Sequence, residues 1–162
     1  MREIMADKLT IEMQCAIAFF IAGAAVARAD GNMEREEIGE MVDVLQGAAF
    51  KSKSQLVRDS ARLFVASNDE VMDQYKKVKV SNVDFIKSVS SALKKCKKDD
   101  QKRFLWAMFV MMSAVANATG GGWFNDQKVS DDEAQEAMAV FMLLGNNQDL
   151  DSLKTWINEN GL

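Results

Sequence analysis

The 162-residue chain has no histidine, no proline, one tyrosine and two cysteines. Without an imidazole there is no Ser-His-Asp or Cys-His nucleophile system, no paired-histidine protease helix, and no zinc or haem site that uses a histidine ligand. Acid–base chemistry would fall to carboxylates, lysines or Tyr75. Without proline, nothing imposes a fixed kink or a forced helix stop. Cys15 and Cys96 stand alone inside helical patterns with no CxxC spacing. That usage predicts buried thiols in a reducing, cytoplasmic setting.

Long apolar runs are also scarce. The two longest uncharged apolar runs, Cys15–Ala27 and Phe104–Val115 with its extension to Ala118, fall short of the roughly 18–20 residues a transmembrane helix needs. Both read as core helices. The opening Met1-Arg2-Glu3-Ile4-Met5-Ala6-Asp7 carries acids and has no apolar centre, which argues against a secretory signal. At 48% hydrophobic and 27% charged residues, the expectation is one soluble domain over 1–162 with a core that needs no staples.

The net charge of −4 conceals an uneven distribution. Residues 76–103 hold ten Lys/Arg against three Asp/Glu, while residues 1–75 carry −5 and residues 104–162 carry −6. A middle this basic between acidic flanks suits a local docking patch better than nucleic-acid binding by the whole chain. Lys94, Lys95, Lys97 and Lys98 are its densest part. A solvated face is the plain alternative.

Apolar residues recur at helical spacing almost throughout, and β-type alternation is rare. Helices are expected over about 8–29, 33–48, 53–66, 69–78, 82–96, 100–118, 131–144 and 151–159. The first presents Leu9, Met13, Ile17, Phe20, Ile21, Ala24 and Ala25 on one stripe. Gly31 and Asn32 mark its end and the start of the next helix. Ser81 with Asp84, and Ser130 with Glu133, carry capping-box spacing. The fold class is therefore all-α, a single bundle of seven or eight helices.

One pattern occurs twice. Ala25-Val26-Ala27-Arg28-Ala29 is echoed by Ala114-Val115-Ala116-Asn117-Ala118, and the acidic stretch Asp30–Glu37 by Asp126–Glu133. Each unit is an apolar helix, an acidic turn, and a second helix with a Glu seven residues after an Asp. Hard cations such as Ca²⁺, Mg²⁺ or Mn²⁺ want several oxygen ligands, which carboxylates on two neighbouring turns supply. The competing reading is structural: Asp30 shaping an Asx turn and Glu133 completing a cap. An EF-hand fails, because the sixth loop position is Arg35 and the twelfth Met41.

The arrangement Ala29-Asp30-Gly31 followed by Glu37 and an amphipathic helix resembles the TerB-like tellurite-resistance family, in outline over residues 9–145. The second half departs from the pattern, with Gln127 in place of the glycine and an inserted Gly120–Gly122 loop. The resemblance implies an all-helical, non-enzymatic, divalent-cation-binding domain with a stress-response or phage-related role. It places the metal ligands at Asp30, Glu37, Asp126 and Glu133. The expected function is a cation-binding domain acting through protein partners. The alternative is a metal-independent scaffold or inhibitory adaptor that docks a partner through residues 76–103. Trp123, beside the triple glycine, is a candidate partner anchor, with a buried plug as its other reading. Self-association through the basic patch and an acidic surface of another copy belongs to the same set of expectations.

Overall fold

The computed structural model describes the backbone of residues 5, 8–27, 35–118 and 149–162, with side chains over 5, 8–26, 39–115 and 149–162. The described residues form seven helices: α1 (Ile11–Ala27), α2 (Arg35–Lys51), α3 (Gln55–Ala66), α4 (Asn68–Lys77), α5 (Asn82–Leu93), α6 (Lys98–Ala118) and α7 (Leu150–Asn160). The all-helical class expected from periodicity holds. The helix expected over 131–144, both acidic turns and the Gly120–Gly122 loop lie outside the described residues.

Local chemistry accounts for the observed ends. Ser54 opens α3 by accepting from the Val57 amide at 3.3 Å. Ser81 opens α5 by accepting from the Asp84 amide at 3.1 Å, as its spacing predicts. Asp149 opens α7 by accepting from the Ser152 amide and hydroxyl. Helix α5 stops at Leu93, short of the expected residue 96. There the amides of Lys95 and Cys96 turn back to the carbonyls of Ala92 and Leu93, tightening the chain into a turn.

The first helix is the core helix that its uncharged run predicts, and its burial is wider than one stripe. Cys15, Ala16, Ile17, Ala18 and Phe19 are consecutive and wholly buried, while Phe20 is only half-buried. Consecutive burial through more than one turn means that α1 is covered on all sides. It packs against α3, α4, α5 and α6, with a lighter contact to α2. Phe19 meets Phe104 of α6 with ring centroids 5.1 Å apart. Phe20 meets Tyr75 of α4 edge-on at 5.3 Å. Around this axis, α6 buries Phe104, Leu105, Met108, Met111, Met112 and Val115, and α2 buries Met41, Leu45 and Ala49. No described helix is long and apolar enough to cross a membrane.

The last helix is clamped onto α6. Lys102 and Arg103 both sit 4.9 Å from the Trp156 ring, a cation–π arrangement. Arg103 also donates from Nη2 to the Asn160 carbonyl at 3.1 Å and from Nε to the Gly161 carbonyl at 3.3 Å. Lys53 donates from Nζ to the Asn160 carbonyl at 2.9 Å and from its amide to Leu162 O at 2.8 Å. Two cations thus satisfy carbonyls that the end of α7 would leave open, at the pole where its dipole favours them. Gly161 is required there: its φ is +90°, and a Cβ would lie 2.8 Å from Lys53 Nζ.

Candidate functional site

The densest charge on the described surface is the turn joining α5 to α6. Lys94, Lys95, Lys97 and Lys98 are all exposed. The turn is held from inside: Lys94 N–H donates to Ser90 O, and Gln101 Nε2 donates to the Cys96 carbonyl at 2.8 Å. Lysines after α5 suit the negative end of its dipole, whereas Lys98 at the start of α6 is disfavoured there. Asp99 and Asp100 in the first turn of α6 offset that cost. Asp100 is also engaged by Ser54, whose hydroxyl donates to its Oδ1 at 2.7 Å. Among the described residues the ion pair is Arg62 with Asp59 at 3.8 Å, and none involves the four lysines.

The basic segment is therefore not uniform. Lys102 and Arg103 are engaged with Trp156 and the end of α7. The four turn lysines project without such partners. Side-chain chemistry at the turn includes Cys96, which is half-buried and not the buried core thiol expected from the sequence. It lies beyond the end of α5, where its Sγ donates to Ala92 O at 3.7 Å. Burial, then the Asp100 and Glu12 carboxylates, raise its pKa above the ordinary thiol value. Cys15 is fully buried and is pushed higher still, chiefly by burial, then by Cys96 and Glu12. Neither thiol has the low pKa of a reactive nucleophile.

The expected cation ligands are not brought into view. Asp30, Asp126 and Glu133 lie outside the described residues, as does Trp123. Glu37 falls within α2, but its side chain is not among those described. Among the described residues, no group of three or more Cys, Asp or Glu side chains is placed to hold a metal.

A second site had no counterpart in the sequence reading. Between α2, α3 and α6 lies a recess of about 380 Å³ walled by Val44, Gly47, Ala48, Val57, Trp106, Ala107 and Val110. Leu162 closes one side, and Asp43, Lys51, Ser52 and Arg103 border it. Small residues create the space: a Cβ built on Gly47 would meet nothing within 4 Å. The only sequence signal was the small pair Gly47-Ala48 on a helix whose other face is apolar. It becomes readable once α2 is known to pack against α6.

No protein-family model, no curated protein and no solved structure matches the chain. The TerB-like resemblance accordingly rests on its residues alone.

Proposed function

We propose that this chain is a non-catalytic helical interaction domain whose α5–α6 turn docks an acidic protein surface. The observation that carries the reading is the exposure of Lys94, Lys95, Lys97 and Lys98 on one internally braced turn, none of them in an ion pair with a described residue. Four exposed ammonium groups in a braced turn steer an anionic partner and set its register. Raised thiol pKa values at Cys15 and Cys96 support a binding role over thiol catalysis.

The acidic echo supports a companion proposal: a hard cation held by Asp30, Glu37, Asp126 and Glu133 that links the two halves of the domain. With TerB-like character, such a module would serve a stress-response or phage-related role.

One set of titrations tests both. A labelled poly-glutamate peptide should bind the native chain and weaken as salt rises. Reversal of the four lysines to glutamate should lower affinity by at least about tenfold. Binding that ignores the reversal overturns the docking reading. Calorimetry with Ca²⁺ and Mn²⁺ should give heat that Asp30→Asn and Glu37→Gln abolish; no heat with the native chain ends the cation proposal and leaves the docking result standing.

A further inference from the structure

We infer that the recess between α2, α3 and α6 is a binding site for a small monocarboxylate with an apolar body, of the size of a medium-chain fatty acid. Its volume of about 380 Å³ lies in the lower part of the range of small-molecule pockets, and its walls are aliphatic apart from one indole, as such sites require. A docked protein helix does not fit the observation as well. Stable protein interfaces bury upwards of about 1,000 Å², whereas this space is a local recess bounded by Leu162 at one side.

Lys51 and Arg103 are the two cations at the border, with Asp43 and Leu162 beside them, and they are the groups that an anionic end of a ligand would meet. Arg103 is the better donor of the two because it is already immobilised. Its Nε and Nη2 are held by the Gly161 and Asn160 carbonyls, and its guanidinium lies over Trp156. No described residue accepts from its Nη1. A guanidinium fixed in this way loses little further freedom on meeting a carboxylate, whose planar shape matches its own.

The inference is independent of the proposed docking turn, since none of the four turn lysines lines the recess. The test is calorimetric titration of the full chain with decanoate well below its micelle concentration, beside decanol and decyltrimethylammonium. One saturable site for decanoate is expected. Gly47→Leu, whose side chain enters open space, should fill the recess and abolish that binding with the melting transition retained. Lys51→Gln, at an exposed position, should weaken decanoate by about threefold to tenfold while leaving α7 in place. Arg103→Gln should weaken it further. Absence of decanoate binding to the native chain overturns the proposal. So does decanoate binding that survives Gly47→Leu, and so does decanol binding as tightly as decanoate.

Discussion

Helices α1 and α2 are both seventeen residues long, and they do opposite things. Helix α1 has no polar face to turn outwards, so its neighbours surround it and its residues disappear into the core. Helix α2 buries Met41, Leu45 and Ala49 but leaves Gly39, Glu40, Asp43, Gln46 and Phe50 exposed. A helix that is apolar all round becomes an axis for others to pack on, whereas an amphipathic one keeps a surface. Only the second kind has a face left over for a ligand, and the recess lies on it.

The sharpest way to break this contrast is truncation. Phe19 is wholly buried and stacked near Phe104, so Phe19→Ala should cost about 3–5 kcal/mol in urea denaturation. Val44, half-buried at the recess wall, should cost only about 1 kcal/mol on change to Ala, because part of its surface is already open. Equal costs would mean that α1 is not the axis of the fold.

The two glycines offer a test in sign. A Cβ on Gly23 of α1 would lie 2.4 Å from Sδ and 2.5 Å from Cε of Met41, a side chain that is itself fully buried. Methionine is adaptable, yet the space is filled. Gly23→Ala should therefore destabilise by about 1–3 kcal/mol. Gly47→Ala on α2 meets nothing and removes a helix-weakening residue, so it should stabilise by about 0.5–1 kcal/mol. Thermal melts of the two variants should move in opposite directions. If both fall, the space at Gly47 is not open.

The smallest expected effect concerns pH. Both thiols ionise less readily when folded than the ordinary value of 9.0, Cys15 most of all. The unfolded chain therefore loses its thiol protons first. Stability from this source is complete below pH 9 and declines as pH rises above it. Cys15→Ala should flatten most of that decline. Under native conditions iodoacetamide should label Cys96 before Cys15, and the reverse order would contradict the burial of α1.

Much of the fold was legible because its signals are local. Ser81 with Asp84, Asn160-Gly161 at the chain's last turn, and the spacing of Met108, Met111 and Met112 each declare a helix or its end within a few residues. Helix α1 is legible as a core helix, but not in which of its rings is enclosed: Phe19 is wholly buried and Phe20 only half-buried, and periodicity cannot choose between them once every face is apolar. The turn lysines were legible as charge. That Lys102 and Arg103 belong to Trp156 instead was not, because α6 and α7 are separated by more than thirty residues of sequence.

The sequence by itself determined that the described chain is helical, where most of those helices start and stop, and that its basic charge gathers around the start of α6. Caps, turns and periodicity act over four or five residues, so they need no tertiary partner to be read. Only the tertiary structure decided that α1 is the enclosed axis, that two of the six basic residues around the α5–α6 turn are engaged in holding α7, and that small residues on α2 and α6 leave a recess between them. Each of those depends on which faces meet, and that choice is made by packing between segments far apart in the chain.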